Sequence, residues 1–338
     1  MNRGAPLLKG IMIFAAMVTV SVAVHGQPSS IPKVMRLIVS FGAGGGYDIW
    51  ARMVARHMSQ YLPGNPSIVV ENMPGAGGFT AANYLFNQAP RDGSVFALVA
   101  REAILGPLTN AQGARFDPTQ MGWLGSPTTE TSVCIANRSS GITSVSDLQD
   151  HTLTMGDTGS GSGTYAYPRV LSYLLGLKLK FVSGYPSTSD VFLAMERGEV
   201  DGVCEGLDSI KARRPNWIPD KRVTVLLQSS KQARPDLPGV PTVYDLAHDE
   251  QQRQAIEFLY AGQDIGRPFV TTPDLPQERL AALQQAFAAT MKDPAFLQDA
   301  DEQKLPVEPE DGVLLDNVIQ KVFATPKSVI EMVGKAMQ

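Results

Sequence analysis

The sequence predicts an α/β protein of two consecutive units, each a parallel sheet covered by helices. From Val34 onward, short apolar runs of strand length alternate with amphipathic helical stretches, the pattern of strands joined by crossover helices. Each half also opens the same way, with a strand-like run, a glycine-rich turn and a helix: "FGAGGGYDIWARM" in the first and "TGSGSGTYAYPRVL" in the second. At 338 residues, 43% hydrophobic and 18% charged, the chain is long enough to bury more than one core.

In order along the chain, "MRLIVSF" (Met35–Phe41) reads as a buried strand. Ile49–Tyr61 reads as a helix, with Trp50, Met53, Val54, His57, Met58 and Tyr61 on its apolar face. "SIVVEN" is the next strand, followed by a second glycine turn, "MPGAGG", and the helix "FTAANYLFN". "SVFALVA" is a third strand that ends on the charged pair Arg101-Glu102. The grammar then restarts. "HTLTMGD" and "KLKFVSGY" are strands around a helix closed by Gly176, "STSDVFLAMERG" is a helix with a capping box from Ser187 to Asp190, and "EVDGVCEG" is a buried strand. The proline-dense "RPDLPGVPTVYD" marks a surface loop, and helices follow at Pro276–Met291 and Leu314–Phe323.

Residues 1–26 have the form of a secretory signal peptide. Arg3 and Lys9 precede an uncharged Ile11–Val24, and small or tolerated residues stand before Gln27. Cleavage there removes two positive charges and moves the formal net charge from −4 to −6, a balance that argues against nucleic acid as a partner. No later stretch reaches about 18 uninterrupted apolar residues. In an exported protein, Cys134 and Cys204 allow either a disulfide or two buried thiols.

The glycine turns at Gly42–Gly46, Gly75–Gly78 and Gly159–Gly163 sit where strands give way to helices, a place where open α/β sheets bind ligands and free amides attract anions. None is a nucleotide loop. The third position of a dinucleotide fingerprint falls on Tyr47, Thr80 and Thr164, and no turn has the lysine of a phosphate-binding loop. The four histidines, His25, His57, His151 and His248, form no catalytic or zinc-binding pattern, and no G-x-S-x-G elbow is present. Catalytic residues, metal ligands and cofactors are therefore not expected. What remains is a pair of bare-backbone anion cradles facing each other across a cleft, the design of an exported solute-binding protein that closes by hinge motion.

The chain also resembles a known family. "LIVSFGAGGGYDIWARMVARHM", "IVVENMPGAGGFTAANYL", "APRDGSVFALV", "SGITSVSDLQD", "GDTGSGSGTYAYP", "GYPSTSDVFLAMERGEVDG" and "RPDLPGVPTVYDL" are similar, in this order, to the periplasmic receptors of tripartite tricarboxylate transporters, the TctC or Bug receptors. The resemblance implies a type II periplasmic binding protein fold. Residues 27–130 and 225–338 would form one discontinuous domain and 131–224 the other, with hinge strands between them. It further implies a monomeric periplasmic receptor for a small organic carboxylate, delivered to membrane transporter subunits. A receptor that signals to a membrane partner and an exported enzyme acting on carboxylates are the alternatives.

Carried over to this chain, the resemblance puts ligand contacts at Phe41, Gly44, Gly45, Gly46, Tyr47 and Asp48 in the first turn and at Thr158, Gly159, Ser160, Ser162 and Thr164 in the second. Asn72 and Gly77 support the first side, and Tyr185 and Glu205 close the second. Several residues have two readings. Asp48 contacts the ligand or caps the helix after it. Ser160, Ser162 and Thr164 donate hydroxyls or simply form a turn. Arg101, which replaces the family's usual small polar residue, grips a carboxylate with its fork or pairs with Glu102. Tyr47 and Tyr185 flank the ligand or fill the wall. Glu205, an acid beside an anion site, is a lid residue or receives an amino group.

Overall fold

The computed structural model describes Met1, Asn2, Gly4 and residues 32–338. The leader expected at residues 1–26 therefore lies, apart from those three residues, outside the described part. Residues 31–338 form one compact unit. Its strands are β1 (Val34–Val39), β2 (Ser67–Asn72), β3 (Val95–Leu98), β4 (Gly122–Ser126), β5 (Ser132–Asn137), β6 (Leu153–Asp157), β7 (Leu179–Ser183), β8 (Gly202–Gly206), β9 (Val223–Gln228), β10 (Phe269–Thr271) and β11 (Glu310–Asp311). The helices are α1 (Gly46–Met58), α2 (Phe79–Asn87), α3 (Gly163–Leu175), α4 (Thr188–Arg197), α5 (Leu207–Arg213), α6 (Glu250–Tyr260), α7 (Gln277–Thr290), α8 (Pro294–Glu302), α9 (Gly312–Phe323) and α10 (Lys327–Ala336).

The strands make two sheets, in the orders β11-β4-β10-β3-β1-β2 and β7-β6-β8-β5-β9. Both are mixed rather than parallel, which corrects the expectation from the strand–helix alternation. β2, β1 and β3 run parallel, as do β7, β6 and β8, because α1, α2, α3 and α4 carry the chain back over the sheet. β10 returns from far along the chain and inserts antiparallel between β3 and β4, while β5 lies antiparallel to both β8 and β9. Alternation reports which segments are strands but not their direction once long connections intervene. β9 extends the second sheet to Gln228, three residues beyond the expected start of the returning segment at 225.

Local chemistry explains the helix ends. Ser187 accepts the N–H of Asp190 and donates to its carboxylate, so the capping box forms. Gly176 and Gly198 end α3 and α4 in the left-handed conformation. On α1, Trp50, Met53, Val54 and Met58 are buried as the periodicity requires. The helix starts three residues earlier than expected, at Gly46, and its last turn is a tighter 3-10 turn over Ser59–Tyr61. Tyr61 is exposed, with its hydroxyl donating to Asp293, and His57 pairs with Asp299 near α8. Both side chains are polar at the tip, so an apolar stripe read from sequence overstates their burial. Among the described residues no helix is long and apolar enough to cross a membrane.

Candidate functional site

Two helix N-termini converge on one small cavity between the sheets. Phe41, Gly45, Gly46 and Tyr47 line it from the turn between β1 and α1, and Thr158, Ser162, Gly163 and Thr164 line it from the turn between β6 and α3. The first amides of a helix have no carbonyl one turn back to bond, and the helix dipole makes that end attractive to negative charge. The free space is about 30 Å³, room for a water or two. A ligand of several carbons therefore requires the walls to separate.

The walls are held together by bonds across the cleft. Gly42 N–H donates to the Pro186 carbonyl (3.0 Å), Gly161 N–H to that of Ala76 (3.0 Å) and the Ser189 hydroxyl to that of Gly44 (2.9 Å). Arg213 also donates to the Gly44 carbonyl. Gly77 lies in the left-handed region at φ +64°, and a Cβ there would overlap the Gly159 carbonyl and the amides of Gly161 and Ser162. The second and third glycine turns thus pack backbone to backbone.

Buried charge fills much of the remaining wall. The Arg101 guanidinium, 3% exposed, lies with Nε 2.6 Å from Glu102 Oε1 and Nη1 3.5 Å from Glu130, and it donates to Ser132 and to the Gly266 carbonyl. Burial is the largest influence and opposes its charge, but Glu102, Tyr47, Tyr167 and Glu130 together outweigh it and hold the pKa well above the ordinary value. Glu102 also accepts from the buried Tyr167 hydroxyl, which accepts from Gln263 (2.6 Å) and whose ring stacks on Tyr260.

Arg267 comes from the turn before β10 and is 1% exposed. Its Nη2 lies 2.6 Å from Glu130 Oε2 and donates to the Ser209 hydroxyl at 2.8 Å, and its guanidinium covers the Tyr47 ring at 4.4 Å. Among the described residues its Nε and Nη1 have no hydrogen-bond partner, and neither has Arg101 Nε. Gly46 makes this approach possible, because a Cβ there would collide with Ser209 Oγ and sit 3.3 Å from Arg267 Nη2. Gly163 and Gly206 leave the same kind of room for the carboxylates of Glu102 and Glu130.

Glu205 enters the cavity wall from β8. It is 8% exposed, and burial pushes its carboxyl above the usual range. Among the described residues no arginine or lysine reaches ion-pair distance of it, and it accepts the backbone N–H of Gly206. Next to it, Cys204 faces Cys134 in register across β8 and β5, and a disulfide joins the two. Among the described residues no group of three or more His, Cys, Asp or Glu is arranged to hold a metal ion.

Comparison with known proteins places this geometry in a family. The chain is 26% identical over 252 residues, 71% of this chain and 70% of the relative, to the UPF0065 protein in the tcbD-tcbE intergenic region of Pseudomonas sp. strain P51. Its fold is similar to that of the periplasmic binding protein BugD (TM-score 0.70, 19% identity, 90% of this chain and 97% of that one). It is equally similar to MatC from Rhodopseudomonas palustris, solved with bound malate (TM-score 0.71, 19% identity, 90% and 100%). Residues 103–311 match the family model described as ABC transporter, phosphonate, periplasmic substrate-binding protein. The chain belongs to the periplasmic substrate-binding proteins that this family model describes.

In this receptor the residues singled out from sequence separate into two groups. The cavity brings together Phe41, Gly45, Gly46, Tyr47 and Arg101 from one side with Thr158, Ser162, Thr164 and Glu205 from the other. The rest lie behind or beside it. Asp48 accepts from Gly44 N–H (2.8 Å), Asn72 (2.9 Å) and Arg52 (3.0 Å), so it braces the turn. Burial would raise its pKa, and these three bonds hold it below the ordinary value. Asn72 also donates to the Phe41 carbonyl. Gly77 and Gly159 are in the backbone contact between turns, Gly44 is exposed, Ser160 stands outside the cavity lining, and Tyr185 packs on the second sheet's core. Ser162 caps α3 and bonds Thr164 at 2.9 Å.

Sequence reading missed Arg267, Glu130, Ser132, Tyr167 and Thr188. A signal existed only for Arg267, in "IGRPFV", where an arginine stands between two turn formers ahead of an apolar strand.

Proposed function

We propose that this receptor captures a small organic carboxylate between its two sheets and hands it to a transporter of the tripartite tricarboxylate type. One observation carries the reading: two helix N-termini and a buried arginine with unpartnered N–H groups converge on a single enclosed cavity. Backbone amides and a guanidinium fork are the donors that a carboxylate accepts most strongly, at about 1.5–3 kcal/mol per charged hydrogen bond. Malate in MatC agrees with that chemistry. The residues around the cavity bind and orient; none forms a nucleophile–base pair of the kind an enzyme needs. The family's periplasmic location supports removal of residues 1–26 on export. On this reading, β1–β4 with the returning C-terminal segment form one lobe and β5–β9 the other, and ligand entry and release part the bonds across the cleft.

Titration calorimetry of the exported protein against malate, adipate, aromatic acids, methylphosphonate and glucose tests this. Heat from a carboxylate alone is expected. Binding of methylphosphonate or glucose without any carboxylate would overturn the reading. Co-purification with transporter membrane subunits, against a sensor protein, tests delivery.

A further inference from the structure

The charges around the cavity do not suit every carboxylate. Arg101 is matched by Glu102 and Arg267 by Glu130. Each pair is close to neutral, and each is removed from solvent. Glu205 is left over, facing the same space without an ion-pair partner among the described residues. Arg267 and Arg101, each already facing a carboxylate of its own, and Arg213, whose Nη1 is fixed on the Gly44 carbonyl outside the cavity lining, act on it only from beyond ion-pair distance. Asp208, on the helix after β8, adds a further acid near Glu130.

Unsatisfied groups in the wall have opposite signs. On one side, Arg267 Nε and Nη1 are, among the described residues, buried donors without acceptors next to the N-terminus of α1, while Arg101 Nε, also without a hydrogen bond, lies 2.6 Å from Glu102. On the other, Glu205 is a buried acceptor short of charged donors. A buried charge without a partner is costly, and a ligand that completes both groups removes both costs at once. A dicarboxylate completes the first and adds repulsion at the second. A zwitterion of one carboxylate and one ammonium completes both and leaves the balance of the site unchanged.

We infer that the receptor's ligand is zwitterionic, an amino acid or related amino carboxylate, with its carboxylate on Arg267 and the α1 N-terminus and its ammonium on Glu205. This rests on the carboxylate reading above and narrows it. Arg101 then acts as a positioning residue that fixes Glu102 and Tyr167. Tyr47, clamped under Arg267 and accepting the Arg101 N–H at 3.2 Å, sets how close the ligand's carbon skeleton comes.

The test uses matched pairs on the exported protein: alanine and propionate, leucine and 4-methylpentanoate, phenylalanine and 3-phenylpropionate, aspartate and succinate, with malate and adipate alongside. At least one amino acid is expected to bind about tenfold or more tightly than its partner without the amine. Glu205→Gln is expected to bring that ratio close to one, with the melting temperature of the unliganded protein as the check on folding. The wild-type comparison stands even if that variant does not fold. Equal or tighter binding of succinate, malate, adipate or a deaminated acid overturns the zwitterion while leaving the carboxylate reading in place. An amino acid preference that survives Glu205→Gln overturns the role of Glu205. No binding by any of these acids counts against both.

Discussion

The segment after β3 and the segment before β10 each bring a buried arginine to the same cavity, and the two are kept in different company. Arg101 lies against Glu102, its own neighbour in the chain, and donates to Ser132 and Gly266. Arg267 reaches Glu130 and Ser209 with one nitrogen and keeps Nε and Nη1 without acceptors. Equal burial therefore does not mean equal function. On the proposed function, Arg101, with only Nε lacking a hydrogen bond, holds the wall together, and Arg267, with both Nε and Nη1 unmet, receives the ligand.

Removing each arginine is the strongest way to break this comparison. Arg267→Ala leaves Glu130 buried with Arg101 at 3.5 Å in place of the 2.6 Å pair and, on the proposed function, takes away the ligand's fork. We expect a loss of about 3–5 kcal/mol in stability by urea unfolding and of about a hundredfold in affinity by calorimetry. Arg101→Ala strands Glu102, so a similar stability loss of about 3–5 kcal/mol is expected, with an affinity loss below about tenfold. If the affinities fall in the reverse order, the assignment of the two arginines is wrong.

The Cys134–Cys204 disulfide sharpens the comparison from the opposite wall, since it ties β5 to the strand that carries Glu205. With a separation of 70 residues, replacing both cysteines by alanine is expected to cost about 2–4 kcal/mol. Amino acid preference should persist in the refolded variant, and an intact mass two hydrogen atoms below the reduced value marks the bridge in the parent.

The smallest effect concerns Asp208, near Arg267's partner Glu130. Burial pushes Asp208 up to about 6. Its proton is held in the folded state after the unfolded chain has lost it, so this group lowers stability as pH rises from about 4 to about 6. Asp208→Asn should flatten that decline and raise stability at pH 7 by about 1–3 kcal/mol. An unchanged difference between parent and variant at pH 4 and pH 7 would remove Asp208 from this balance.

Much of the architecture was legible from residue patterns alone. Strand and helix positions follow from periodicity and glycine stops, because those are set by neighbours a few residues apart. Ser187 with Asp190, Gly176 and Gly198 are local devices and behave as local rules require. The turn of Phe41–Tyr47 was readable as bare amides ahead of a helix for the same reason, several glycines in a row, and it lines the cavity. Even Arg101 with Glu102 could be foreseen as a pair, since adjacency needs no fold.

What only the tertiary structure decided depends on β10. By inserting between β3 and β4, it brings Arg267 beside Glu130 and within one cavity wall of Arg101, although these residues are far apart in sequence. Strand direction, the burial of Glu205 and the packing of Gly77 on Gly159 have the same origin. Periodicity states that a residue will be covered, but the identity of the covering charge is a property of chain segments meeting in space. How many donors each arginine keeps free is therefore settled by topology, not by the residues on either side of it.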